Sequence, residues 1–351
     1  MEAVNSYVSW KRLPAELVKR HGHFGGGFIE IWYTEHTLQN HLKINYSGPQ
    51  DAIQVELGGG AIYQNIAKDK FGGSLDFFAK NRSKLRPIGG HDIDVLVINQ
   101  KTLEKVLKEV GYAPHSDQNK KFWYRKQKNP YTNKWEGISN KRTKQLFKKQ
   151  AANHRFIQYD LFKDMKIADM DMTGCDKKLR EIKAYGITKW NLCNEDLIAT
   201  KSIIVSRYGF IPMQGPKIDY REKSLRPRDF VDIANLVAAT EPERFDYTYF
   251  VDRLEMNMQN GGKSSKKRKV GQVDSSIPYN DRSVDQKVIT LLSTIRNQTD
   301  NNNLETWIDD RLLISRLSKN SIKGLVFDWS KIENNFSDIV PKIIDECKVR
   351  W

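Results

Sequence analysis

From Ile53 onward, short apolar runs alternate with stretches in which apolar residues recur every three or four positions. "IQVELGGGAIYQNIAKDKF" reads as a strand, a glycine turn and a helix opening near Ala61. "DIDVLVI" is an apolar run interrupted only by its two aspartates, and reads as a buried strand. In "KTLEKVLKEVGY", Leu103, Val106, Leu107 and Val110 share one helical face. "KKFWYRKQ" and "HRFIQYDLF" follow as strands, separated by a basic and aromatic segment. After about residue 175 the spacing turns helical, in "NEDLIATKSIIVSRYGF", "RPRDFVDIANLVAAT", "DQKVITLLSTI" and "DDRLLISRLS". Upstream, only Phe28–Tyr33 stands out, as a strand among glycines and aromatic residues.

This order predicts an α/β (α+β) fold: a mixed sheet with flanking helices, then a helical C-terminal region. The expected divisions are an N-terminal extension over 1–52, a core over 53–175 and a helical domain over 176–351. An exposed basic loop is expected near 259–276. There is no internal repeat. No apolar run approaches the ~18 residues of a membrane span, and no secretory signal opens the chain. Cys175, Cys193 and Cys347 are scattered, fit no zinc spacing and point to a reducing, intracellular setting. Charge changes the picture more: 58 Lys and Arg against 43 acidic residues give +15, a field that favours polyanions.

The period of two in a strand sends Asp92 and Asp94 to one face and Ile93 and Val95 to the other. Two like charges held this close repel, and burial raises the cost, so a cation is expected between them. Carboxylates at i and i+2 can hold two divalent ions from one rigid face, with a third carboxylate from a neighbouring strand. Asp160 in "RFIQYDLF" is the candidate third ligand, with Asp164 its nearest rival. Gly58, Gly59 and Gly60 lie between strand and helix, where backbone N–H groups can hold phosphates; Gly72, Gly73 and Ser74 are a second candidate turn.

The ordered set of glycine turn, paired-aspartate strand and later single-aspartate strand resembles the DNA polymerase β-type nucleotidyltransferases. It is most similar to their abortive-infection toxin branch (AbiEii-like), over roughly residues 53 to 240. "LGGGAIY", "HDIDVLV", "NEDLIATK" and "RPRDFVDIANLV" carry the likeness. The resemblance implies a nucleotidyltransferase-type sheet with Mg²⁺ or Mn²⁺ at Asp92, Asp94 and Asp160. It places the triphosphate at Gly58 and Gly59. Carried over to the two later motifs, it marks Glu195 and Lys201 on one helix, and Arg228, Asp229 and Asp232 on the next. Lys201, Asp229 and Asp232 would then serve the nucleotide pocket. The chain departs from the pattern in its long separation of glycine turn and aspartate pair.

Between Lys120 and Lys149 lie eleven Lys and Arg, interleaved with Phe122, Trp123, Tyr124, Tyr131 and Trp135. Cations along a backbone and rings that stack on bases suit single-stranded nucleic acid. Lys121, Trp123, Arg125, Lys126 and Lys128 are the expected contacts. Lys266, Lys267 and Arg268 in "KSSKKRKV" join them, in a run that also reads as a nuclear-import signal on an otherwise cytoplasmic chain. His21, His23 and His91 form no recognisable catalytic set.

The function expected is transfer of a nucleoside monophosphate from an NTP (ATP among the candidates) to an acceptor hydroxyl. RNA is the expected acceptor, at a tRNA 3′ end or a growing tail. A protein hydroxyl, as in nucleotide-transferring toxins, is the alternative within enzymes. Outside them, the alternative is a catalytically silent RNA-binding subunit. The terminal extensions offer surfaces for a protein partner, and no membrane association is expected.

Overall fold

The computed structural model describes residues 26–71, 92–114, 122–126, 156–163, 166–167, 170–184, 186–208, 227–259, 284–301 and 329–349. These fall into two compact units, the first from residues 26–167 and 173–192, the second from 170–172 and 193–349. Together they make a mixed α+β protein.

The first unit is built on a seven-stranded mixed sheet. Its strands are β1 (Gln54–Glu56), β2 (Asp92–Val97), β3 (Tyr112–Pro114), β4 (Phe122–Lys126), β5 (Phe156–Phe162), β6 (Leu179–Ala184) and β7 (Ile187–Leu192). They lie in the order β3-β4-β5-β2-β1-β7-β6. β2 runs parallel to β5, and β1 parallel to β7; the remaining neighbours are antiparallel. Alternation along β2 buries Ile93, Val95 and Val97 on one face. There they meet Tyr159 and Leu161 of β5 and Leu103, Val106 and Leu107 of the helix Gln100–Glu109. Each such aliphatic side chain contributes about 1.5–3 kcal/mol on burial. That helix starts cleanly because the Asn99 side chain accepts from Thr102 N at 3.1 Å, a cap worth ~1 kcal/mol.

Three elements depart from the sequence reading. Phe28–Tyr33, expected as a strand, lies in the helix α1 (Gly26–His36). The β-branched and aromatic residues there carry only a weak strand preference, which tertiary packing overrides. Ile31, Trp32 and Leu38 are buried, and α1 packs on β7 and β2, so this segment belongs to the sheet unit and not to a separate extension. The glycine-led helix α2 (Gly58–Phe71) opens three residues before Ala61. The sheet runs on past residue 175 through the hairpin β6–β7, turned at Gly186 with a φ of 72°. The first unit therefore ends at Leu192.

Among the described residues, the second unit holds five longer helices, α4 (Asn194–Tyr208), α5 (Pro227–Ala239), α6 (Tyr247–Gln259), α7 (Val284–Asp300) and α8 (Trp329–Val349); the helix Gln100–Glu109 is α3. Leu197, Ile203, Leu236, Phe250, Leu292 and Ile343 are among the residues of its core. Pro227 occupies the first turn of α5, where its missing N–H costs nothing. At the other end, Asn335 of α8 donates to Val237 O and Thr240 O, both at 2.7 Å, and satisfies carbonyls the helix leaves open. Among the described residues, no helix is long and apolar enough to cross a membrane.

Candidate active site

The parallel pairing of β2 with β5 sets Asp94 directly beside Asp160, and Asp92 beside Gln158. Strand alternation puts position 92 on the same face as 94. Three acidic positions therefore share one face of two adjacent strands, about 4.8 Å apart. Behind them the opposite face is closed by Ile93, Val95, Tyr159 and Leu161. The side chain of Asp94 is half-buried. Those of Asp92 and Asp160 lie outside the described residues, as do Asp164 and His91.

The glycine turn abuts this face. Gly58 has a φ of 63°, in the left-handed region that favours glycine. A Cβ there would stand 2.9 Å from Asp94 Oδ2, and Leu57 N donates to Asp94 O at 2.9 Å. Gly58 and Gly59 are the first two residues of α2, whose leading N–H groups lack intrahelical acceptors. The turn at Gly72–Ser74 lies outside the described residues.

A polar network beside the turn was not foreseen. Glu56, the last residue of β1, accepts from Lys189 Nζ and from Gln64 Nε2 at 3.0 Å. Lys189 also donates to Asn191 Oδ1 at 2.8 Å, and Asn191 Nδ2 donates to Asn65 Oδ1 at 3.1 Å. Lys189 is 2% exposed and Glu56 4%. Burial holds the Lys189 ammonium below its ordinary pKa, and Glu56 opposes that shift. Nearby, Glu35 accepts from Tyr46 Oη at 2.6 Å, Gln54 Nε2 at 3.0 Å and Gln39 Nε2 at 3.2 Å. Burial pushes the Glu35 carboxyl and the Tyr159 phenol above their usual pKa values. Buried polar residues are the usual blind spot of hydropathy. The one local signal was a glutamate closing an apolar strand, one leucine ahead of three glycines.

In the second unit, Lys201, Asp229 and Asp232 come together. Lys201 Nζ donates to Asp229 Oδ1 at 2.6 Å and lies 3.0 Å from Asp232 Oδ2. All three are buried. An ammonium already matched by two carboxylates braces α4 against α5. Glu195 stands apart from them and accepts from Asp246 N at 3.0 Å, ahead of α6. Asp196, unmarked by the sequence, takes Arg253 Nε and Tyr249 Oη, both at 2.7 Å, which ties α4 to α6.

The nucleic-acid candidates separate. Trp123, expected to stack on bases, is fully buried on β4, an inner strand between β3 and β5. Its ring belongs to the core, in one cluster with Tyr112, Tyr159 and Leu161. Lys121, Lys128, Lys266, Lys267, Arg268 and the side chains of Arg125 and Lys126 lie outside the described residues, as do His21 and His23. Cys175 and Cys193 are both buried.

Among the described residues, no group of three or more acidic, histidine or cysteine side chains stands close enough to hold a metal ion. That set does not include the side chains of Asp92 and Asp160. Compared with known proteins, the chain matches no family model, no curated protein and no solved structure.

Proposed function

We propose that the chain is a Mg²⁺- or Mn²⁺-dependent nucleotidyltransferase that moves a nucleoside monophosphate from an NTP to an acceptor hydroxyl, with RNA as the acceptor. One observation carries the reading: Asp94 paired with Asp160 across parallel strands, with position 92 on the same face and Gly58 against the Asp94 carboxylate. The succession of glycine turn, antiparallel β1–β2 and parallel β2–β5 supports a sheet of the DNA polymerase β type.

Three carboxylates are a hard-oxygen donor set that suits Mg²⁺ or Mn²⁺ and not a soft metal. Bound there, divalent ions would neutralise phosphate charge and polarise the reacting phosphorus. The chain's own groups do the rest. The acceptor oxygen attacks the α-phosphorus, the bond from that phosphorus to the bridging oxygen breaks, and pyrophosphate leaves. Asp160 takes the acceptor's proton. The leading N–H groups of α2 at Gly58 and Gly59 hold the departing phosphates. A net charge of +15, with Lys121, Arg125, Lys126, Lys128, Lys266, Lys267 and Arg268 among its carriers, supports a polyanionic acceptor. Because Lys201 is already matched by Asp229 and Asp232, the reading does not depend on it.

The test supplies each labelled NTP, Mg²⁺ or Mn²⁺ and a pool of cellular RNA to the wild type and to Asp92→Ala/Asp94→Ala. Label entering RNA with the wild type alone is the expected result. Label entering protein would move the acceptor to a protein hydroxyl. RNA binding with no label anywhere would replace the enzyme by a silent RNA-binding subunit.

A further inference from the structure

We infer that the buried Glu56–Lys189 pair is a positioning element that holds the glycine turn in its working place beside Asp94, an inference that rests on the nucleotidyltransferase reading. The geometry of α2 motivates it. Glu56 Oε1 occupies the space a Cβ of Gly60 would fill, so the carboxylate lies directly under the first turn of the helix. On that same turn Gly58 meets Asp94 Oδ2. The turn is thus set between two carboxylates. Strand register assigns them to opposite faces of the sheet, since Glu56 pairs with Val95, the neighbour of Asp94.

The network reaches this helix at Gln64 and Asn65. Lys189 Nζ donates to Glu56, to Gln64 Oε1 at 2.5 Å and to Asn191 Oδ1, which uses all three ammonium protons. Gln64 reaches back to Glu56, and Asn65 Nδ2 donates to Leu192 O at 2.8 Å. Stability alone gives no reason for this choice, because well-packed apolar residues commonly replace a buried ion pair at no loss. The pair does two things an apolar core cannot. Its directional bonds fix the helix along and around its axis. Lys189 also cancels a negative charge that would otherwise sit beneath a turn meant for phosphates.

The experiment measures transfer kinetics and thermal unfolding of the wild type, Asp94→Asn and the double variant Glu56→Gln/Lys189→Met, whose neutral side chains keep nearly the original volume. Positioning predicts that the double variant melts at or above the wild-type temperature. Its KM for NTP should nevertheless rise by about 10-fold or more, with an unchanged Mg²⁺ requirement. Wild-type KM and kcat in a folded double variant would overturn the inference and leave the reading standing. A wild type that neither binds nor transfers any NTP would overturn both. If the double variant does not fold, Gln64→Leu keeps the Glu56–Lys189 pair and cuts the bonds that join it to the helix at Gln64. A raised KM in that variant supports positioning, and an unchanged one overturns it.

Discussion

Gly58 and Asp94 touch: a methyl group on Gly58 would stand 2.9 Å from Asp94 Oδ2, and the glycine's φ of 63° is one that alanine resists. Gly58→Ala should therefore cost about 1–2 kcal/mol from backbone strain. It should also push the carboxylate aside, lowering transfer by roughly 10-fold or more. Urea unfolding reads the first effect and the transfer assay the second. Wild-type activity in a destabilised Gly58→Ala would remove the turn from the site.

Asp94→Asn takes one charge out of a face that carries three acidic positions, so unfolding should show equal or greater stability. Transfer should fall by at least about 100-fold. Mg²⁺ at ~100 times its dissociation constant should stabilise the wild type by about 2.7 kcal/mol, and chelation should reverse this. Calorimetry with and without Mg²⁺ checks both, and the variant should respond far less than the wild type.

Lys201→Met leaves Asp229 and Asp232 buried without their shared cation. The expected loss is about 3–5 kcal/mol. Adding Asp229→Asn and Asp232→Asn should recover much of it, because the uncompensated charges leave together. Chemical denaturation of the three variants in series decides the point. A Lys201→Met that keeps its stability but loses NTP affinity would return this lysine to the nucleotide.

Trp123 and its neighbours on β4 should respond differently. Trp123→Ala should cost about 3–5 kcal/mol as a core truncation, while the milder Trp123→Phe should leave RNA affinity unchanged. Strand period sets position 126 on the face opposite Trp123, so Lys126→Ala should instead keep the fold. If Lys126 contacts a phosphate, that variant should reduce the slope of log affinity against log salt by about 1.

Glu35 gives a pH signature. Burial raises its folded pKa above the unfolded value near 4.5. The folded state then holds the proton longer than the unfolded one, so this contribution to stability is intact below pH 4.5 and declines as pH rises through the folded pKa. Glu35→Gln should flatten that decline. Urea midpoints across the acid-to-neutral range measure it, and an unchanged slope would show that Glu35 is not its source.

Much of this architecture is written locally. The apolar run around Asp92 and Asp94 specifies β2, the spacing of Leu103, Val106 and Leu107 specifies α3, and three glycines after a strand mark the start of α2. What escapes a local reading is decided by partners far away in the chain. Lys189 and Asn191 look like surface residues until Glu56, Gln64 and Asn65 are placed around them, which is why β7 and its hairpin went unseen. Trp123 sits among lysines and arginines, and only the pairing of β4 between β3 and β5 tells which face it takes. The alternation of Asp92 and Asp94 follows from strand period alone. The alignment of Asp94 with Asp160 depends on a parallel register that no short stretch encodes.

Lys189 reaches Glu56 across 133 residues of chain. During synthesis at roughly 5–20 residues per second, β1 is therefore made about 7–27 seconds before the strand that will flank it. For that interval β1 is an open sheet edge, the kind of surface on which nascent chains pair wrongly. Its last residue is a carboxylate with no counter-ion yet made, and an unpaired inward charge is what discourages a foreign strand from adding there. The glutamate locked inside the finished sheet thus guards its edge while the sheet is being built.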